Sequence, residues 1–187
     1  MLLYHVKKMA GFTLIELMVS IGILTLLLSL TLPNFKNFQA RRDLRVQTDF
    51  VVNTIREVQN TVAVGGSYDD TSGMRHYGIH FSSTPGENTM FIVFADSDSS
   101  GESDGRYTEG VDTIVKYGQK LLRDGVEIQT FSESGRNLDL VFSPPESTLR
   151  VNGANMNTIV NLTLAHDRIE ETTVVSLNTL TGQVSSN

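Results

Sequence analysis

The sequence predicts an α+β protein: a long N-terminal helix followed by an antiparallel β-rich head. Three observations carry that expectation. Residues 12–32 form a run of 21 residues in which Glu16 is the only charged side chain. Leu44, Val51, Ile55, Val58 and Val62 then recur at helical spacing, giving one apolar face about 100° wide. Past Gly66 the pattern switches to alternation with a period of two, broken by turn formers.

The apolar run comes first. At ~1.5 Å per residue, a helix over 12–32 is about 32 Å long, enough to cross a hydrocarbon core. An ordinary secretory signal is shorter and ends in a small-residue cleavage site. Here Pro33, Asn34, Phe35 and Lys36 follow, and the helical pattern goes on. The apolar segment is therefore expected to stay on the chain as a membrane span. The small residue that could mark a cut, Gly11, stands before the run.

Glu16 is out of place in such a run. An ionised acid in lipid costs roughly 2.5–3.5 kcal/mol. It is either a functional residue or an acid snorkelling to a nearby headgroup. A cut between Gly11 and Phe12 would create an amine four residues before Glu16. In apolar surroundings an ammonium and a carboxylate pair strongly. The pair can form between adjacent helices, with Glu16 of one subunit taking the Phe12 amine of another and so setting register. The basic residues do not fix an orientation, because Lys7 and Lys8 precede the run while Lys36, Arg41, Arg42 and Arg45 follow it.

Residues 33–64 read as an amphipathic extension of the same helix. Arg42, Arg45, Arg56 and Glu57 are placed on its wet side, and Gly65-Gly66 closes it as a left-handed cap would. Pro33 removes a backbone donor and crowds the preceding turn, so it is expected to loosen the helix. The head occupies 66–187. Strands are expected over 76–81, 90–95, 112–118, 126–131, 138–142, 157–165 and 172–178, separated by turn-forming stretches such as "TPGEN", "RDG" and "VNGAN". Short strands with polar loops suggest an antiparallel sheet or a sandwich.

Composition narrows the function. The chain has no cysteine, which excludes disulfides and thiolate metal sites. The net charge is −6; without Lys7 and Lys8, 13 basic residues face 21 acidic ones. No Lys or Arg follows Arg168. Nucleic-acid binding, which rests on basic surface, is disfavoured. The acidic stretch from Asp96 through Asp98 and Asp104 to Glu109 echoes a calcium loop, with acids at relative positions 1, 3 and 9 and Gly101 at 6. Position 12, however, is Tyr107, and Glu109 comes two residues late, so a solvated hairpin tip is the alternative. Calcium is the only cofactor the residues suggest. His76 and His80 fall on one strand about 13 Å apart, too far to share an ion. With His166 they complete no catalytic motif, so no enzyme activity is expected.

The stretch Gly11-Phe12-Thr13-Leu14-Ile15-Glu16-Leu17-Met18-Val19-Ser20 resembles the prepilin signal of type IV pilins and type II secretion pseudopilins. "YGIHF", "FIVFADSDSSGESDGRYTEG", "LVFSPP" and "NTLTGQV" in the head are more loosely similar to the H-type minor pseudopilins and FimT-like minor pilins. The resemblance implies a pilin-like fold and a leader (1–11) removed by a prepilin peptidase, with N-methylation of Phe12. It also implies docking through Glu16 and a helix-loosening Pro33. The implied protein is a structural subunit with one pass through the inner membrane and its head in the periplasm or outside. Its implied partners are other pilin or pseudopilin subunits, the peptidase, an inner-membrane assembly platform and membrane lipid. A minor pseudopilin of type II secretion is the first expectation; a minor type IV pilin in pilus biogenesis, adhesion or DNA uptake is the alternative.

Overall fold

The computed structural model describes residues 11–68, 76–96, 103–144 and 148–187, with 30–36 described by backbone alone. The leader before Gly11 and Asp98 of the acidic stretch lie outside the described residues. The chain divides into two compact units, Met1–Phe38 and Gln39–Asn187. Helix α1 (Leu14–Ala63) contributes to both, and its helical backbone runs through Pro33.

In the first unit the side chains from Leu14 to Leu28 are exposed all round the helix; Leu14, Met18, Leu24 and Leu26 are each more than 60% accessible. Among the described residues no helix is long and apolar enough to cross a membrane. The expected span over 12–32 includes 30–32, whose side chains lie outside the described set.

In the second unit α1 buries the predicted stripe. Leu44, Val51, Ile55, Val58 and Val62 are all buried, joined by Ala40 and Val52. Two hydroxyls on the buried side satisfy themselves locally: Thr48 donates to the Leu44 carbonyl and Thr54 to that of Phe50. Arg42, Arg45, Arg56 and Glu57 are exposed, as their spacing predicts. The helix ends in a Schellman motif. The Gly65 amide donates to Val62 and the Gly66 amide to Thr61, and Gly65 takes the required positive φ of 65°.

Among the described residues, nine strands form two antiparallel sheets. They are β1 (His76–Ser82), β2 (Met90–Asp96), β3 (Thr113–Leu121), β4 (Val126–Phe131), β5 (Asn137–Ser143), β6 (Thr148–Val151), β7 (Ile159–His166), β8 (Ile169–Asn178) and β9 (Val184–Ser186). The first sheet has the order β3-β2-β1-β5-β6 and the second β4-β7-β8-β9. All seven expected strands are present; β6 and β9 are additions too short to show a period. One apolar cluster joins the helix stripe to Tyr77, Ile79, Phe81, Phe91 and Phe142 of the first sheet and to Val126, Leu162, Leu164 and Val175 of the second. Each sheet turns the alternate set of its residues toward this core, as period-two alternation requires.

The first sheet has a second layer on its outer side. Ile92, Phe94 and Val141 are buried there beneath Tyr107. Gly78 on β1 makes room for them: a Cβ at that position would lie 2.6 Å from Phe94 Cζ and 2.8 Å from Val141 Cγ2. Gly78→Ala is expected to destabilise the head by about 1–3 kcal/mol through overpacking. Thermal unfolding should show a fall in Tm of roughly 2–4 °C per kcal/mol; an unchanged Tm would contradict the packing described.

Candidate functional site: the helix start and the outer face of the first sheet

The residues expected to serve in processing and assembly lie at the start of α1. Thr13 is the N-cap: its Oγ1 accepts the Glu16 amide at 3.3 Å while its carbonyl accepts the Leu17 amide at 3.2 Å. Thr13 and Glu16 thus stand in the order of a capping box. Glu16 sits in the first turn, where the helix dipole favours a negative charge. Gly11, Phe12 and Glu16 are all exposed, Phe12 at 76%, and nothing approaches Gly11 within 4 Å. Further along, Ser20, Thr25 and Ser29 donate to carbonyls of their own helix. Pro33 lies within the helix, but its side chain is outside the described set.

The acidic stretch is the second candidate. Asp96 ends β2 and is buried. Its Oδ2 accepts the Ser103 hydroxyl at 2.6 Å and the Gly105 amide at 2.9 Å. Asp104 Oδ1 accepts the Arg106 amide at 2.8 Å, and Asp112 Oδ2 accepts the Thr108 amide at 2.6 Å. Two arginines tie the same segment down: Arg150 donates to the Ser103 carbonyl and Arg106 to that of Asn152. Residues 103–112 thus form a strap over the outer face of the first sheet, with Tyr107 packed edge-on to Phe94 at 5.1 Å between centroids. Burial pushes the Asp96 carboxyl above its ordinary range, against the pull of its Ser103 and Gly105 hydrogen bonds. Its Oδ1 is buried without a hydrogen-bond partner among the described residues.

Of the four expected calcium ligands, the structure shows Asp96 and Asp104 each used by the backbone of their own loop. Glu109 instead lines a cleft beside His80. Among the described residues, no three His, Asp or Glu side chains are grouped closely enough to hold a metal ion. The histidines lie apart, each with its own partner. His76 Nδ1 is 2.8 Å from Ser143 Oγ, His80 Nδ1 is 2.6 Å from Asp139 Oδ1, and His166 Nδ1 is 2.9 Å from Asp167 Oδ1. The His80–Asp139 pair was missed from the sequence, because it depends on the register that sets β1 against β5.

Because Asp96 holds two donors of the strap, Asp96→Ala should cost about 1–3 kcal/mol. Asp104→Ala, which removes one exposed acceptor, should change stability by no more than about 0.5 kcal/mol. Chemical denaturation of the two variants separates them, and equal losses would show that Asp96 has no special role.

The comparisons with known proteins bear on the N-terminus most directly. The prokaryotic N-terminal methylation motif matches residues 6–32, which include Gly11, Phe12 and Glu16. The structure is similar to that of the minor pseudopilin EpsH from the Type 2 Secretion System of Vibrio cholerae. The identity is 11% and the TM-score 0.46, over 78% of this chain and 96% of that one. No curated protein matches. The helix of this chain thus opens on a prokaryotic N-terminal methylation motif.

Proposed function

We propose that this chain is a structural filament subunit, a minor pseudopilin of a type II secretion machine. It is cut between Gly11 and Phe12, methylated on Phe12, and held in the inner membrane by 12–32 with its head in the periplasm. One observation carries the reading. The first turn presents an acid, Glu16, among apolar side chains exposed on every side of the helix. Such a segment is stable only when lipid or like helices cover it. Inside that cover an acid needs a cation, and the amine created at Phe12 lies one helical turn away. The prepilin peptidase supplies that amine, and neighbouring subunits on the assembly platform supply the cover. The acidic head and the absence of any cation after Arg168 oppose a nucleic-acid partner.

Glu16→Ala should leave membrane insertion and cleavage intact while weakening docking by about 3–5 kcal/mol, because the partner amine is left buried alone. Crosslinked filament ladders measure incorporation, and mass spectrometry of the mature N-terminus measures cleavage. Normal incorporation of the variant would remove the register role; a mature chain that keeps its leader would remove the whole reading.

The buried, unpartnered Oδ1 of Asp96 favours a second proposal, calcium at Asp96, Asp98, Asp104 and Glu109. Millimolar calcium should then raise the Tm of the full chain, and Asp96→Asn should abolish the rise. No rise in the unaltered chain would exclude the ion.

A further inference from the structure

The strap leaves a cleft of about 360 Å³ between itself and the outer face of the first sheet. That lies within the roughly 300–1,000 Å³ of pockets that hold organic ligands. Its lining divides in two. Met90, Ile92 and Ile114 supply an apolar wall, whereas His80, Glu87 and Glu109 supply polar groups, and no lysine or arginine lines it.

The polar groups are acceptors. Both glutamates are exposed carboxylates. Glu87 accepts one hydrogen bond, from Ser82 Oγ at 2.9 Å, through a single oxygen. Glu109 makes no hydrogen bond or ion pair to any described residue. His80 holds its Nδ1 against Asp139 Oδ1 at 2.6 Å, so in the neutral ring that nitrogen carries the proton and Nε2 is left as the acceptor. Tyr107 lies 4.8 Å from the His80 ring and forms one side of the opening. Burial, then the charges of Glu109 and Asp112, push its phenol up.

A site of acceptors beside an apolar wall calls for a cation on an aliphatic stem. A bare divalent ion would leave the apolar wall unused, and it would lack the cluster of ligands it needs. The strand order says how such a cation would arrive. Among the described residues β3 is the edge strand of this sheet, paired with β2 alone. Ile114 and Gln119 stand opposite Phe94 and Ile92, so they share the outer face, and both line the cleft. An extended segment added along the free edge of β3 would place its own outward side chain next to them, over the cleft.

We propose that this cleft receives a lysine or arginine side chain from a partner polypeptide laid along the edge of β3. Glu109 takes the cation with Glu87 and His80 Nε2, and the stem lies on Ile92 and Ile114. The proposal concerns the head alone and does not depend on how the helices assemble.

The test uses the ¹⁵N-labelled full chain in detergent micelles, with the peptide acetyl-Val-Thr-Lys-Val-Thr-amide as probe. The peptide should shift amides in β3, at His80 and through 107–109, and leave the second sheet unmoved. Replacing its lysine by norleucine, or Glu109→Gln in the protein, should each weaken binding at least about tenfold. Glu109 is exposed, so the variant's thermal unfolding should match that of the unaltered chain. Equal affinity for the norleucine peptide overturns the proposal, as does an unchanged affinity in Glu109→Gln. So does an absence of peptide shifts where millimolar calcium moves the same amides, since the cleft would then be an ion site.

Discussion

The apolar stripe of α1 from Leu44 to Val62 is the surface on which both sheets close. Val51, Ile55 and Val58 are at most 1% accessible and belong to the same cluster as the inner faces of the two sheets. With no cysteine in the chain, burial must supply the holding energy, at about 1.5–3 kcal/mol for each fully buried aliphatic or aromatic side chain. The polar ties around the stripe have another role. Arg41–Glu171 at 2.9 Å and Arg123–Asp43 at 2.7 Å are exposed pairs, worth about 0–1 kcal/mol each. Arg56 adds a hydrogen bond to the Val184 carbonyl on the last strand. These ties fix which residues of the helix face which strands, while the stripe does the stabilising.

The same helix changes its environment by changing its periodicity. From Leu44 onward it has a dry side and a wet side. Before Ser29 it has apolar side chains on every side and hydroxyls that donate to its own carbonyls. A helix of the first kind is completed by its own head. One of the second kind is completed only by something outside the chain, because its backbone and its hydroxyls are already satisfied and only the apolar surface is left over. Glu16 is the exception in that surface, and the N-cap geometry of Thr13 fixes it in the first turn.

What could be read from the sequence follows from range. The helix stripe, its wet side and its Gly65-Gly66 cap depend on residues at most a few positions apart, and each lies where spacing put it. Seven strands showed their period. β6 and β9, of four and three residues, are too short to display one and exist because a neighbouring strand offers a free edge. At the N-terminus the pattern is local, so spacing alone singles out Gly11, Phe12 and Glu16. On the head it is not. Spacing placed the acids from Asp96 onward in one stretch, but it did not show that Asp96 and Asp104 accept the amides of their own strap or that Glu109 lines a cleft with His80. The His80–Asp139 pair joins residues 59 apart, through a register no local pattern encodes.

The two ends of the molecule therefore offer different kinds of recognition. Apolar side chains around a helix bury equally well against lipid or any similar helix, so they give adhesion with little discrimination. One carboxylate among them fixes a level along the helix but not the identity of the neighbour. Discrimination between partners requires polar groups held in fixed positions, which penalise any neighbour unable to pair them. On this chain such groups lie on the head, where Asp139 orients the His80 ring and the strap is pinned at both ends by buried or bonded side chains. Rigidity there has a physical source: the strap's amides are satisfied by Asp96, Asp104 and Asp112, and Tyr107 is wedged between Phe94 and His80. A surface held this firmly loses little entropy when a partner docks, so its acceptors can select a partner even where each contact is weak.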